Sequence, residues 1–454
     1  MTHPALPIAP ASEAEEFLAA HPDVDAIDMI FTNMAGVPRG KRLRRHEVLS
    51  VYSQGRFLPG SLLVNDIRGD DVPETGLVWE DGDADRLAWP VPGTLAITPQ
   101  CGPGSAQMLV SLHELDGRPC VLDPRHVLSS AIAALAARGL TPVVACELEF
   151  YLLDADTARP RPAGGATLPH VYGLTELAAV RPFIDAVNAA GDAAGIRIDA
   201  AITENAPGQM EIGLTHHADA LRACDEAILF KRIVHQCAAA HGFAATFMAK
   251  PFADIAGSGM HIHVSMLDAQ GHNIFAADAP EGAPALQHAI AGLQALLPDS
   301  MAIFAPNMNS YRRLRPNTYA PTAATWGINN RTVALRIPAG PPASRHVEHR
   351  VSGADANPYL AVAVVLAAMH HGLAAARPPG PITLGNGYAA TIPPELQLPT
   401  DWAAALNRFT ASALLRAALG DHIVEMFTAI KRHELEAYQA IVSATDHEWY
   451  LASS

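Results

Sequence analysis

The feature that most constrains this chain is a set of charged residues spaced by two inside otherwise apolar strand text. In residues 143–153, Val144, Cys146, Leu148, Phe150 and Leu152 fall on one face of an extended chain, so Glu147 and Glu149 point together from the other. Residues 259–266 repeat the arrangement, with Met260, Ile262 and Val264 facing one way and His261, His263 and Ser265 the other. Glu348 and Arg350 share a face in residues 347–351, and Arg336 stands among Val333, Leu335 and Ile337. Glu204 and Glu211 bracket the turn sequence Ala206-Pro-Gly-Gln209, which brings two strand ends together.

Taken singly, a Glu-x-Glu strand is a solvated face and a His-x-His pair is two ordinary histidines. Jointly, five carboxylates (Glu147, Glu149, Glu204, Glu211 and Glu348) with His261 are costly to gather in a sheet unless cations neutralise them. Oxygen-dominated ligation selects Mg²⁺ or Mn²⁺ over zinc. Two such ions near Arg313, Arg331, Arg336 and Arg350 describe a phosphoryl-transfer site. The chain has no Walker A signature, so ATP, if bound, is not held by a P-loop.

Composition narrows the class. Across 454 residues, 31 Lys and Arg face 46 Asp and Glu, a formal charge of −15 that suits no general nucleic-acid binder. Half the residues are hydrophobic and 17% are charged, as in a packed globular protein of two or three domains. The five cysteines are odd in number and form no C-x-x-C pair, which fits a reducing, cytoplasmic compartment and argues against disulfides or a thiolate zinc site. Residues 1–10 do not read as a signal peptide, and the longest apolar run, residues 359–369, reads as a buried helix and not a membrane span. Residues 13–22 read as a helix, 24–32 as a strand, and 53–106 as short strands and loops. The cluster Arg39, Lys41, Arg42, Arg44 and Arg45 reads as a solvated or ion-paired face. From Arg125 onward, helices alternate with strands in the manner of a larger α/β unit.

A series of motifs runs along the chain: Arg39-Gly-Lys-Arg42, Glu147-Leu-Glu-Phe150, Pro207-Gly-Gln209, Thr246-Phe-Met-Ala-Lys-Pro251, Gly257-Ser-Gly-Met-His-Ile-His263, Asn309-Ser-Tyr-Arg-Arg313, Asn330-Arg331 and Gly353-Ala-Asp-Ala-Asn-Pro-Tyr359. In these it resembles the glutamine synthetase superfamily over nearly its whole length. The resemblance implies an α+β fold: a small N-terminal β-grasp domain at 1–118 and, at 119–454, a large catalytic domain with a curved antiparallel sheet. It implies one Mg²⁺ or Mn²⁺ at Glu149, Glu204 and Glu211 and a second at Glu147, His261 and Glu348, with ATP as co-substrate. Gly257, His261, Arg313, Arg331 and Arg350 would meet glutamate, and His263, Ser265, Arg331 and Arg336 the ATP. Arg331, Arg336 and Glu204 would be catalytic. The family assembles as rings, commonly dodecamers of two hexamers, with sites shared between adjacent subunits.

Three departures from an ammonium-using member bear on the acceptor. Pro59 precedes Gly60-Ser61 where those enzymes carry an aspartate, Tyr319 precedes Ala320-Pro321 where they carry a flap glutamate, and Ala256 replaces an asparagine. A pocket that loses two acids and gains an aromatic suits an amine with a carbon chain better than ammonium. The expected reaction is therefore ATP-dependent ligation of the L-glutamate γ-carboxylate to an aliphatic amine, putrescine or a relative, through γ-glutamyl phosphate. The amine pocket would include Pro59, Tyr319 and Asp66, with Asp66 or Glu204 as the base. The alternatives are an ammonium-using glutamine synthetase, a ligase for ethanolamine, isopropylamine or aniline, and an inactive structural relative.

Overall fold

The computed structural model describes residues 4–165 and 167–453, so the first three residues of the N-terminal reading lie outside the described residues. Strands β1 (Ala26–Thr32), β2 (Pro38–Arg44), β3 (Arg56–Pro59), β4 (Asp85–Pro90), β5 (Ala96–Ile97) and β6 (Ser105–His113) form one sheet in the order β2-β1-β6-β4-β3, with β5 also on β6. β1 and β6 run parallel, and the other neighbours antiparallel. The basic cluster lies on and just after β2. Arg42 pairs with Asp28 at 2.7 Å and Arg44 with Asp25 at 2.9 Å. Arg45 donates to the carbonyls of Leu18, His21 and Val24, and so satisfies acceptors at the end of helix Ala11–Ala20.

The second sheet holds β7 (Thr141–Asp154), β8 (Ile198–Thr203), β9 (Gln209–Leu214), β10 (Phe243–Thr246), β11 (Met260–Leu267), β12 (Trp326–Ile328), β13 (Leu335–Ile337) and β14 (Val347–His349). Its order is β12-β13-β14-β11-β7-β9-β8, with β10 also on β7. All these pairs are antiparallel except β12 with β13. Its apolar face, built from Val144, Cys146, Leu148, Phe150, Met260, Ile262 and Val264, is fully buried. Phe150 meets the rings of Phe183, Phe230 and Phe247 at 5.4–6.5 Å, which seats helices Arg181–Ala193 and Ala220–Ala240 on that face.

The apolar run at 359–369 is the middle of a longer helix, Pro358–Ala375. By length and composition it could cross a membrane, yet it is mostly buried against helices Pro124–Ala136 and Pro284–Leu296. The approach to the latter is close enough that a Cβ on Gly292 would fall 2.1 Å from the Ala368 carbonyl oxygen. The helix start is capped by the Asn357 side chain, which accepts from the Tyr359 amide at 3.0 Å and donates to the Asn33 carbonyl at 3.1 Å. That second bond fastens the helix to the β1–β2 turn.

One buried ionic group joins the layers. Arg125 meets Asp225 through two hydrogen bonds of 2.8 Å, Tyr359 donates to the same carboxylate at 2.6 Å, and Arg125 also reaches the Ser111 hydroxyl on β6 at 3.2 Å. Both charges are almost fully buried. Removing one partner strands the other, so Asp225→Ala is expected to cost about 3–5 kcal/mol in urea unfolding. A loss below about 1 kcal/mol would show that the bidentate pair is dispensable.

Candidate active site

Strand register assembles the site. Glu147 on β7 lies opposite His261 on β11, and Glu149 lies opposite Glu211 on β9. Glu348 on β14 lies between His263 on β11 and Arg336 on β13. Directly opposed residues share a face, so one side of the large sheet carries Glu147, Glu149, Glu211, Glu348, His261, His263 and Arg336. Glu204 follows the end of β8, with its amide bonded to the Gln209 carbonyl at 2.9 Å across the hairpin.

The contacts are short. His261 Nδ1 lies 2.8 Å from Glu147 Oε1 and 3.8 Å from Glu348 Oε1, and His263 Nε2 lies 3.1 Å from Glu147 Oε2. Glu149 accepts the Gly259 amide at 2.7 Å, and Glu204 accepts the Asn205 side chain at 2.9 Å. Arg336 donates to Glu348 at 2.7 Å, Arg350 donates to its other oxygen, and the Nε of each arginine has no partner. Arg313 is buried and donates to the carbonyls of Val351 at 2.9 Å and Arg350 at 3.4 Å. Space beside it is tight: a Cβ at 257 would fall 2.4 Å from the Ala249 carbonyl oxygen and 2.9 Å from Arg313 Cγ, and one at 259 would displace the guanidinium, 2.5 Å from its Nη2. Arg331 is exposed on the loop between β12 and β13, and Ser265 lies on β11.

Electrostatics divides the carboxylates. Burial opposes ionisation of Glu147, but hydrogen bonds and charge from His261 and His263 outweigh it and hold its carboxyl well below the usual range. Glu348 is likewise buried, and Arg350 with the two histidines lowers it to about 2. Glu211 is the reverse case: burial and the charges of Glu147, Glu149 and Glu204 push it up to about 10. Burial and Glu149 also raise Glu204. The face thus carries more negative charge than its own cations balance.

That imbalance fits divalent ions. Glu147, Glu211 and His261 bring ligand atoms within 4.8 Å of one another, and so do Glu147, His263 and Glu348. Carboxylate oxygens with imidazole nitrogen suit Mg²⁺ or Mn²⁺. These groupings cut across the expected division into two metal sets, because Glu147 belongs to both. A cavity of about 660 Å³ opens beside them, lined by His216, His263, Ser265, Asn273, Ser344 and His346 among others, and is large enough for a nucleoside. A more apolar cavity of about 760 Å³ lies against helices Ala220–Ala240 and Asp421–Gln439 and is lined by none of the expected site residues.

The glutamine synthetase catalytic-domain model matches residues 121–450. The chain belongs to the glutamine synthetase family. It is 39% identical to gamma-glutamylputrescine synthetase of Escherichia coli (strain K12), over 97% of this chain and 95% of the relative. It is 32% identical to gamma-glutamylethanolamide synthetase of Streptomyces coelicolor, over 99% and 98%. A solved GmaS/ADP complex superposes with a TM-score of 0.83 at 28% identity, covering 97% of this chain and 99% of that one. Glutamine synthetase family members use ATP and divalent metals.

Within this family frame, Pro59 ends the edge strand β3 and Tyr319 is exposed with a left-handed backbone, φ +56°. Asp66 departs from its expected role as a base. Its Oδ1 accepts the amides of Arg68, Gly69 and Asp70 at 2.8–3.0 Å, and its Oδ2 pairs with Arg68 at 2.8 Å. Burial works against its ionisation, but Arg68 and these amides win and lower its pKa, so it is a weak proton acceptor that folds its own loop. Two residues of the site escaped the sequence reading. His346 Nε2 lies 3.1 Å from His263 Nδ1, and Asn329 accepts from Arg336 at 2.9 Å. His346 was detectable as the residue two before Glu348.

Without metal, Glu211 holds a proton up to about pH 10, above its unfolded value, so a cation that ligates it must displace that proton. The Tm gain on adding Mn²⁺ is therefore expected to widen as pH rises from about 6 to 9, in scanning fluorimetry against an EDTA control. Glu211→Gln should flatten that dependence. A metal-induced gain that is constant with pH in the wild type would contradict the assignment.

Proposed function

We propose that this chain is an ATP-dependent ligase that joins the γ-carboxylate of L-glutamate to an aliphatic amine, with putrescine or a related amine as acceptor. The observation that carries the acceptor class is the pair Pro59 and Tyr319, a ring and an aromatic at positions where ammonium-using members are expected to hold acids. Glutamate would be held by Arg313, Arg350, Arg331, Gly257 and His261, and ATP by His263, Ser265, Arg331 and Arg336, with the adenosine in the 660 Å³ cavity. The metal sets are Glu149, Glu204, Glu211 and Glu147, His261, Glu348, each for Mg²⁺ or Mn²⁺. Bound cations would neutralise the carboxylates and polarise the γ-phosphoryl group.

The chain's own groups account for the rest of the chemistry. Arg336 and Arg350 each keep an unpaired Nε–H in a buried site, donors available to phosphoryl and carboxylate oxygens. The glutamate γ-oxygen attacks the terminal phosphorus of ATP to give γ-glutamyl phosphate and ADP. The amine nitrogen then attacks the acyl carbon and phosphate leaves. An alkylammonium of pKa ~10.4 must first lose a proton, at a cost of about 4–5 kcal/mol near neutral pH. Glu204, at the β8–β9 hairpin beside Glu149, is the assigned base; burial and the Glu149 charge raise its pKa as long as no cation neutralises them. Asp66 is assigned only as a fixed anion near the acceptor.

The proposed assembly is a ring-forming homo-oligomer, two stacked hexamers with sites shared between neighbours. The edge strand β3, with Phe57 56% exposed, favours contact with another subunit there. The proposed domain division is 1–118 and 119–454, and the proposed compartment is the reducing cytoplasm, in keeping with five free cysteines.

ATP-dependent phosphate release with glutamate should be measured across ammonium, putrescine, spermidine, ethanolamine, isopropylamine and aniline. The expected outcome is that an aliphatic amine exceeds ammonium in kcat/KM by at least about 10-fold. Ammonium as the best acceptor would return the chain to the assimilatory class.

A further inference from the structure

We propose that Tyr388 is a positioning residue for the acceptor amine: its phenol fixes the left-handed backbone at Tyr319, and so sets the shape of the amine pocket. This rests on the reading of Tyr319 as part of that pocket.

The segment leading to Tyr319 does not hold itself. Asn317 and Tyr319 both have positive φ, +63° and +56°. An aromatic residue in that basin is strained unless its surroundings over-determine it. The Tyr319 ring is 55% exposed, so burial of its own side chain does not supply the constraint. Tyr388 Oη donates to the Ala320 carbonyl at 3.1 Å. The hydroxyl therefore holds the chain immediately after Tyr319. Thr318 is in turn tied back by its own hydroxyl, which donates to the Arg315 carbonyl at 2.7 Å.

Tyr388 is rigidly placed. It lies in the turn Gly387–Ala389, and its amide donates to the Asn386 side chain at 3.0 Å. The Gly387 amide donates to the Thr332 hydroxyl at 2.8 Å, and Asn330 Nδ2 donates to the Gly385 carbonyl at 2.8 Å. A Cβ at 387 would fall 2.7 Å from the Thr332 carbonyl oxygen, so the turn sits directly on the segment that carries Arg331. Burial raises the phenol's pKa while the charges of Arg313 and Arg350 pull against it, which puts both glutamate-site arginines within electrostatic reach. One half-buried tyrosine thus links the Arg331 loop to the Tyr319 backbone.

If the hydroxyl is removed, the 315–321 segment is free to leave the strained basin. Amine binding weakens and water reaches the activated intermediate. Water then attacks the acyl carbon of γ-glutamyl phosphate, the bond from that carbon to the phosphate oxygen breaks, and glutamate and inorganic phosphate are released without amide.

The test is Tyr388→Phe in the full-length protein, with saturating glutamate, ATP and Mg²⁺ and varied putrescine. The expected result is a rise of about 5- to 20-fold in KM for the amine and at least about a doubling of ADP formed per γ-glutamylamide. KM for ATP and Tm should stay at wild-type values. Hydrogen exchange at 315–321 should quicken while that of β11 does not change. An unchanged amine KM and ADP-to-amide ratio would overturn the proposal, as would a fall in kcat alone with every KM intact. Should Tyr388→Phe fail to fold, Asn386→Ala loosens the same turn and should move the same two quantities in the same direction. A wild type that forms no amide from any amine would sink the ligase reading itself. A wild type that forms amide beside an unaffected Tyr388→Phe sinks only this inference.

Discussion

The structure is organised around an electrostatic debt on one face of the large sheet. Four carboxylates on β7, β9 and β14 are brought together by backbone register, with Glu204 at the neighbouring hairpin. No choice of rotamer can disperse them, because their Cβ positions are set by hydrogen-bonded strands. The chain offsets part of the charge with His261, His263, Arg336 and Arg350, and leaves the remainder at Glu211 and Glu204, where pKa values rise. A face so poised has a standing affinity for hard cations.

Such a face has to be carried by a scaffold that does not yield. The apolar side of the same strands packs on aromatic rings and helices, and the Arg125–Asp225–Tyr359 group pins helices Pro124–Ala136, Ala220–Ala240 and Pro358–Ala375 and β6 together. A buried bidentate pair adds little over an apolar contact of the same size, yet it tolerates only one arrangement of its partners. That specificity serves a site whose residues come from strands and loops distant in sequence.

Much of the site was legible in the sequence because period-two spacing survives translation into strands. Glu147 with Glu149, His261 with His263, and Glu348 with Arg350 could be placed on common faces from spacing alone, and the Glu204–Glu211 hairpin from its turn residues. What could not be read was which strand lies beside which. The opposition of His261 to Glu147, and of His263 to Glu348, depends on non-local pairing that no short window encodes. Around Arg336 the apolar alternation begins at Val333, but only Leu335–Ile337 pairs, because Asn330 and Thr332 are bound into a turn instead. Between the two candidate bases the sequence offered no choice for Asp66, because the turn Ile67-Arg-Gly-Asp70 that occupies its oxygens is visible only in the fold. Tyr388 lies far along the chain from the segment it grips and carries no local mark.

The helix Pro358–Ala375 has a consequence for how the molecule comes into being. In isolation its composition would be at home in lipid, and an unburied copy would be prone to aggregate. The two helices it packs against most extensively, Pro124–Ala136 and Pro284–Leu296, precede it in the chain. During synthesis from the N-terminus most of the receiving surface is made before the element it must receive. The order of the gene thus shortens the time for which the most water-averse segment of an acidic protein stands uncovered.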